Sequence, residues 1–196
     1  EIEVGDFDRI SIPSFVDVYY TQTSDQQSVS LTCDENLTEY YKIHVRDGEL
    51  IVDCRRSFYN KIDTYVTVYS PVLNGVKLSG SGDLYIDEAV TAEDIFTLEV
   101  NGSGDADIAG ITAESAMFRS SGSGDIEVDK LTAESIKVAT TGSGDCILKC
   151  KDAGTLDIQI SGSGDITISG TARAIVNIST TGSGDFNMSH LTLSGK

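Results

Sequence analysis

The feature that most constrains this chain is a tetrapeptide, Gly-Ser-Gly-Asp, that occurs six times at nearly fixed intervals. The first step between copies is 22 residues long, and the four steps that follow are each 20 residues long. A fixed period of this size is typical of chains that wind into coils and stack each coil on the one before. The copies begin at Gly80, Gly102, Gly122, Gly142, Gly162 and Gly182.

Apolar and polar residues alternate within each repeat, which is the period of a β-strand with one buried face. In the third copy, Ile126 and Val128 flank Glu127, and the same two slots are apolar in all six copies. A later alternating pair predicts a second inner wall, which the fifth copy continues with Val176 and Ile178. One coil cannot bury its own apolar face, so the next coil must stack on it in parallel. We therefore predict an all-β fold, a parallel β-solenoid (β-helix) of about 20 residues per coil, right-handed by the general rule for parallel crossovers.

The repeat divides the chain into two regions. Residues 1–78 contain no repeat and predict a series of short strands, including a hairpin that turns at Asp47-Gly48. Residues 79–196 contain the six repeats, and the last coil is incomplete. We expect the N-terminal strand-rich region to cap one end of the solenoid. The open strand edge at the other end needs a cap, a partner subunit or polar blunting.

Charge and hydrophobicity exclude several classes of partner. The 14 basic and 31 acidic residues give a net charge of −17, which argues against nucleic acids and anionic membrane surfaces. No apolar run approaches the roughly 20 residues that a membrane span requires. Because the sequence begins with Glu1 rather than Met, we expect a leader to have been removed before residue 1.

Four cysteines occur, and none forms a Cys-x-x-Cys pair. Cys33 and Cys54 each end an alternating, strand-like segment, so a disulfide between them would be feasible if the two strands are neighbours. Such a bond would imply an oxidising compartment. Two buried free thiols are the alternative, and the sequence leaves both open.

The aspartates of the repeat form a predicted ladder whose role has two interpretations. In the structural one, which we favour, the glycines adopt positive φ at a tight corner and each aspartate accepts backbone N–H groups there. In the functional one, the carboxylates bind calcium, because oxygen-only ligand sets suit hard cations. The candidate metal ligands are Asp83, Asp105, Asp125, Asp145, Asp165 and Asp185.

Neither histidine, His44 or His190, has a serine, cysteine or carboxylate at the spacing of a known catalytic motif, so we predict no catalytic residues, no organic cofactor and no enzyme. Adjacent aromatic residues near Arg55 and Arg56 are the candidates for a ligand surface, since exposed rings stack on sugars or anchor a protein partner. These candidates are Tyr40, Tyr41, Phe58 and Tyr59.

The order of motifs along the chain resembles the bacterial family described as putative auto-transporter adhesin, head GIN domain. The resemblance rests on the repeated Ser/Thr-Gly-Ser-Gly-Asp-Ile-x-Val unit, and on segments 5–10, 16–18, 47–52 and 69–73 that precede it. It implies a secreted or envelope-anchored bacterial protein with a β-solenoid body. The family offers no catalytic or ligand residues to transfer, and nothing in this chain supports auto-transport.

From these observations we expect a non-enzymatic binding or adhesion module of the cell envelope or outside the cell, with a glycan or protein ligand at the cell surface. The solenoid would act as a rigid spacer, and specificity would lie in the N-terminal region or along one solenoid face. The first alternative is a structural protein that self-associates through its solenoid ends as a homo-oligomer. The second is an enzyme that acts on polysaccharides.

Overall fold

The computed structural model describes residues 1–56 and 64–195. Within these ranges the regular structure is one short 3₁₀ helix, Glu35–Tyr40, and seventeen strands that belong to one sheet. The strands are β1 Arg9–Ile12, β2 Asp17–Gln22, β3 Ser28–Thr32, β4 Tyr41–Arg46, β5 Glu49–Cys54, β6 Tyr65–Ser70, β7 Gly75–Leu78, β8 Leu84–Ile86, β9 Val90–Thr91, β10 Ile95–Val100, β11 Ala106–Ile108, β12 Ile111–Ser120, β13 Ile126–Thr140, β14 Cys146–Ile160, β15 Ile166–Thr180, β16 Phe186–Asn187 and β17 Leu191–Leu193.

The sheet is wound into a coil with three walls, and within each wall the strands pair in parallel. Wall A stacks β5, β1, β7 and β10, followed by the last part of β12, β13, β14 and β15. Wall B stacks β6, β2, β8 and β11, followed by the first part of β13, β14 and β15, and then β16. Wall C stacks β9, the first part of β12, the middle of β13, β14 and β15, and then β17.

The interior of the coil is the hydrophobic core, as the alternation predicts. Of the twelve apolar slots that follow the repeat aspartates, ten are buried, from Leu84 and Ile86 onwards. Only the last pair, Phe186 and Met188, is half-buried. Successive coils pair at an offset of 20 residues through most of the repeat region, as in Ile126 with Cys146. The predicted all-β parallel solenoid is confirmed, and its handedness stays a prediction.

The N-terminal region contributes two coils of its own to the stack. Strands β1 and β2 form one coil that pairs in parallel with β7 and β8 across the boundary predicted at residues 78 and 79. Strands β5 and β6 form a second coil, which pairs in parallel with β1 and β2 on their other side. The core is therefore continuous across that boundary. The division into two domains stays a prediction.

Strands that run in the opposite direction cover the N-terminal end. Strand β3 pairs antiparallel with β6, and strand β4 pairs antiparallel with β5. The β4–β5 hairpin turns at Asp47 and Gly48, as predicted, and both residues have positive φ, 53° and 76°. Positive φ at both central positions is the geometry of the two-residue hairpin turn that follows the twist of the strands.

At the C-terminal end the structure corrects one prediction. Val176 and Ile178 were expected on the inner wall, but their side chains are 63% and 43% exposed. Two causes are visible. The register shifts, because Leu156 pairs with Ile175 whereas Asp157 pairs with Asn177, so Val176 is an extra residue in the strand. In addition, no described strand of wall A lies beyond this one, so nothing covers the inner side of Ile178.

Candidate functional site

The Gly-Ser-Gly-Asp corners bring successive coils into close backbone contact. A Cβ atom built on Gly102 would overlap the carbonyl oxygen of Gly80, and one built on Gly104 would overlap that of Gly82. Positive φ is not the reason for these glycines, because among the described glycines only Gly48 and Gly170 adopt it. The expectation of positive φ at the repeat corners is therefore wrong. The corners need glycine because the coil below leaves no room for a side chain.

The aspartates at these corners form a continuous ladder of hydrogen bonds. The backbone N–H of Asp105 donates to Oδ1 of Asp83 at 2.8 Å, and the same bond links each later aspartate to the one before it, at 2.7–2.8 Å. The ladder also has a member that the tetrapeptide does not reveal, since Asp83 N–H donates to Oδ1 of Asp17 at 3.0 Å. The predicted acceptor role of the aspartates is confirmed, and the donor is the aspartate of the next coil.

The hydrogen bonds explain how a row of like charges is tolerated. Carboxylates about 5 Å apart repel by roughly 0.8 kcal/mol in water and about 3 kcal/mol at an effective dielectric near 20. A hydrogen bond to a charged group contributes about 1.5–3 kcal/mol, which is enough to offset that repulsion. Among the described residues, no three His, Cys, Asp or Glu side chains converge as metal ligands. Calcium binding by the ladder stays a prediction.

The structure places two of the predicted ligand-surface residues, Tyr40 and Tyr41, at the N-terminal cap, where the 3₁₀ helix meets β4. The guanidinium of Arg56 lies 5.2 Å from the ring centre of Tyr40 and donates to its hydroxyl at 3.2 Å. The hydroxyl of Tyr41 lies 3.1 Å from Oγ1 of Thr64, and its ring packs against the core. The other two predicted residues, Phe58 and Tyr59, lie outside the described residues. The role of all four in ligand binding stays a prediction.

A second group of aromatic side chains, which the sequence reasoning missed, lies on the outer face of wall B. We call Tyr19, Tyr65, Tyr69 and Tyr85 the tyrosine cluster. The rings of Tyr19 and Tyr85 stack with centres 4.9 Å apart, and Tyr65 meets Tyr19 edge-on at 5.5 Å. Tyr19 and Tyr65 are 39% and 36% exposed, so their rings and that of Tyr85 form one aromatic surface that faces solvent. Tyr69 is 40% exposed on the same face of β6, about 13 Å along the strand from Tyr65.

A sequence signal for this cluster exists. The segment from Asp17 reads Asp-Val-Tyr-Tyr, and the segment from Asp83 reads Asp-Leu-Tyr-Ile, so both follow the pattern Asp, apolar, Tyr, apolar. This pattern shows that β2 corresponds to the strand that follows each repeat aspartate, although the Gly-Ser-Gly that precedes those aspartates is missing before Asp17. It puts Tyr19 and Tyr85 side by side on the outer face, as the pairing of those two residues shows.

Carboxylates surround the tyrosine cluster. The hydroxyl of Tyr85 donates to Oδ2 of Asp83 at 3.2 Å. Burial, which is the largest cause, together with the charges of Asp83 and Asp17 and the hydrogen bond to Asp83, raises the pKa of Tyr85 to about 12. In the register of Tyr85, the next two coils carry Asp107 and Glu127. The cluster therefore combines aromatic surface with a strongly acidic neighbourhood.

A cleft near the N-terminal end is acidic as well. It has a volume of about 630 Å³, and Phe7 and Pro71 are among its apolar lining residues. Four carboxylates also line it, those of Asp6, Asp8, Asp25 and Glu93. A cavity with this lining disfavours anionic ligands.

The four cysteines are free thiols. Cys33 and Cys54 are half-buried, whereas Cys146 and Cys150 are buried in the core. Burial raises the pKa of Cys150 to about 11, and burial, with the charges of Asp34 and Cys54, also raises that of Cys33. This structure has no disulfide between Cys33 and Cys54, and both thiols are half-buried rather than buried.

No helix within residues 1–56 and 64–195 is long and apolar enough to cross a membrane.

Solved structures from Bacteroides and Parabacteroides have the same fold. A putative adhesin from Bacteroides fragilis NCTC 9343 has a TM-score of 0.77 and 23% identity, with 95% of this chain and 94% of that chain covered. A putative adhesin from Parabacteroides distasonis ATCC 8503 has a TM-score of 0.60 and 22% identity over the same shares. A putative lipid binding protein from the same Parabacteroides strain has a TM-score of 0.62 and 22% identity, also over 95% and 94%. At these identities the likeness shows the fold alone.

No protein of curated function matches this sequence significantly. A family model does match it, over residues 6–129 and 116–195, and its description is "Putative auto-transporter adhesin, head GIN domain". The two matches together span almost the whole chain, and they agree with the motif order noted in the sequence. The chain belongs to this family.

Proposed function

We propose that this protein is a non-enzymatic binding module that works outside the cytoplasm, and that it recognises its ligand through the tyrosine cluster. The observation that carries this proposal is the exposure of Tyr19, Tyr65 and Tyr69 on one flat face of the solenoid. Exposed aromatic side chains on a soluble protein are common at ligand and partner sites, because they offer large contact area at low conformational cost.

The chemistry of the face favours a neutral or cationic glycan of the cell surface as the ligand. Aromatic rings stack on the apolar faces of sugar rings. The neighbouring carboxylates, Asp17, Asp83 and Asp107, are acceptors for sugar hydroxyl or ammonium groups. The same carboxylates repel anionic polymers, which agrees with the net charge of −17.

The rest of the molecule suits a rigid support for this face. Each coil pairs in parallel with its neighbours along walls A and B, and from β9 onwards along wall C as well, and inner residues such as Phe96 and Phe118 are fully buried. A side chain on one coil is therefore held at a fixed position relative to the next. In this proposal the solenoid is a spacer that displays the tyrosine cluster and has no chemistry of its own.

The test is a binding screen of the purified chain against glycans and host matrix proteins, once with calcium and once with EDTA. The double variant Tyr19→Ala/Tyr65→Ala should lose at least about tenfold in affinity, since removing two contact aromatics typically costs more than about 1.4 kcal/mol. Tyr40→Ala is the matched control for the surface that the sequence predicted. Binding that survives the double variant but fails in Tyr40→Ala would move the site to the N-terminal cap.

The comparison of binding with calcium and with EDTA tests whether the aspartate ladder binds metal. Loss of binding in EDTA would give the aspartate ladder a metal role in addition to its hydrogen bonds. Absence of saturable binding to every glycan and protein, with and without calcium, would contradict the binding proposal.

The same purified protein tests three alternatives: lipid binding, enzymatic action on polysaccharides and self-association. Because one structural neighbour is named a putative lipid binding protein, lipid vesicles are included in the screen. The four carboxylates that line the cleft beside Phe7 oppose the binding of anionic lipids there. A polysaccharide-acting enzyme would turn over some glycan in the panel and lose that turnover through one point substitution. Self-association through the solenoid ends, the remaining alternative, is favoured by the exposed strand at the C-terminal end.

A further inference from the structure

The last strand of wall A is paired along one edge only. Residues 174–180 of β15 pair in parallel with residues 155–160 of β14. No strand among the described residues pairs with the opposite edge of this segment. An unpaired strand edge offers a row of backbone N–H and C=O groups to another strand.

The side chains at this edge are apolar and exposed. Val176 is 63% exposed, Ile178 is 43% exposed, and Leu193 at the same end of wall C is 49% exposed. The segment Ala-Ile-Val-Asn-Ile-Ser-Thr contains no charged residue and no proline. Soluble proteins ordinarily blunt such edges with lysine, proline or very short strands. This segment has none of the three, although the extra residue at Val176 is a β-bulge, a feature that opposes pairing when it twists an edge away. Residues 177–180 beyond it keep a regular register with β14.

The charge distribution identifies what can approach this end. Residues 166–195 contain one of the 31 acidic residues, Asp185, together with the basic residue Arg173, so this end is nearly neutral on a chain with net charge −17. A second copy of the chain is repelled along the acidic walls and at the acidic cleft. At the C-terminal end two copies meet without that repulsion.

We propose that two copies of this chain form a symmetric dimer by pairing residues 174–180 antiparallel across a two-fold axis at Asn177. In that register Val176 of each copy lies opposite Ile178 of the other, so the two exposed apolar side chains form cross-strand pairs. The pairing satisfies both free edges at once and closes the assembly, since a two-fold interface uses the same surface on both copies.

Head-to-tail stacking is the competing arrangement, and the N-terminal end does not favour it. The cap there exposes the edge of β4, which carries Lys42 and Arg46, and charged residues on an edge strand oppose pairing. Because a head-to-tail stack along the solenoid axis repeats without closing, it would also produce chains of many copies. The size distribution therefore distinguishes the two arrangements.

The first experiment is sedimentation velocity of the 196-residue chain over a concentration series, with no ligand present. We expect one species of twice the chain mass that dissociates on dilution. Ile178→Lys should raise the dissociation constant at least about tenfold, because it places a charge in the apolar cross-strand pair. Ile95→Lys makes the same change at a residue that is 55% exposed on a central coil and should leave the dimer intact. A monomer at all concentrations, or a series of higher species, would overturn the proposal.

A cross-link tests the axis itself and does not depend on how well the lysine variants fold. Residues that face each other across an antiparallel pair have Cα atoms about 4.5–5.5 Å apart, which a disulfide can span. With Cys33→Ser and Cys54→Ser as background, Asn177→Cys should form a covalent dimer on mild oxidation. Lys137→Cys occupies the same outward column two coils away, as the pairing through Asp157 shows, and should not. Equal cross-linking of both variants, or of neither, would contradict the axis.

Discussion

The two ends of this solenoid are finished in different ways. At the N-terminal end, β3 and β4 run antiparallel to the coil beneath them, and inner residues Leu50 and Val66 are fully buried. At the C-terminal end no described strand pairs with the outer edges of residues 174–180 and β17, and Ile178 and Leu193 are exposed. Both ends are made of the same kind of strand. The difference teaches that a parallel stack has no internal stopping signal, because every edge it presents can accept another strand, and only a change of direction or a partner ends it.

The largest predicted effect tests this comparison with the same substitution, leucine to alanine, at each end. Leu50→Ala removes a fully buried side chain beneath the cap, whereas Leu193→Ala removes one that is 49% exposed. We expect Leu50→Ala to lower the free energy of unfolding by about 2–5 kcal/mol and Leu193→Ala by less than about 1 kcal/mol. Urea unfolding followed by circular dichroism measures both. Equal losses would mean that Leu193 is covered in solution and that the two ends are alike.

A smaller difference is expected along the aspartate ladder. Oδ1 of Asp125 accepts the N–H of Asp145, whereas no described backbone N–H donates to the carboxylate of Asp185, whose backbone oxygen accepts the N–H of Ile166. Asp125→Ala removes a hydrogen bond of about 1.5–3 kcal/mol and also the carboxylate repulsion that this bond offsets, so it should cost about 0.5–1.5 kcal/mol of unfolding free energy, and Asp185→Ala almost nothing. Asp125→Asn keeps an acceptor oxygen and removes a like charge, so it should be close to neutral. If Asp125→Asn were as damaging as Asp125→Ala, and only when calcium is present, the carboxylate would be acting as a metal ligand.

The sequence predicted the repeat region well because its signals are local and repeated. Alternation identified the inner residues, and the tetrapeptide located the corners. The reason for the corner glycines was predicted wrongly, since sequence shows that glycine is needed but not whether the backbone angle or the neighbouring coil requires it. Gly102 needs space because Gly80 of the coil below is in contact with it. That contact joins residues 22 positions apart and cannot be seen in either residue alone.

The ends and the tyrosine cluster were harder to predict for a related reason. The burial of Val176 and Ile178 depends on whether another coil follows, which the alternation of the strand does not show. Adjacent aromatic pairs drew attention to Tyr40 and Tyr41, whereas the cluster on wall B is assembled from β2, β6 and β8. Strand β6 reaches that wall through an order of coils, β5–β6 outside β1–β2, that differs from the order in the chain. No local motif encodes that reordering.

The smallest predicted effect is a dependence of stability on pH. It distinguishes the outer face of wall B near Tyr85 from the same face near Asn187. Because burial and the charge of Asp83 raise the pKa of Tyr85 to about 12, this hydroxyl stays protonated in the folded state when an ordinary tyrosine near 10 has ionised. The unfolded chain then binds fewer protons than the folded one between these two values. The contribution to stability is therefore complete below about pH 10 and is lost as the pH rises towards 12.

Absorbance at 295 nm follows this ionisation directly. The difference between the titrations of the wild type and Tyr85→Phe should show one transition near pH 12, with circular dichroism confirming that the fold is intact at each point. Asp83→Asn should move that transition part of the way towards pH 10, because burial is the larger cause and persists. Asp185→Asn is the control, because it removes a carboxylate from the same ladder at the other end. There the residue in register with Tyr85 is Asn187, so this variant should leave the titration unchanged. If the transition in the difference titration already occurred at pH 10, the carboxylates around Tyr85 would be solvated in solution. The outer face of wall B at the tyrosine cluster would then resemble the same face near Asn187.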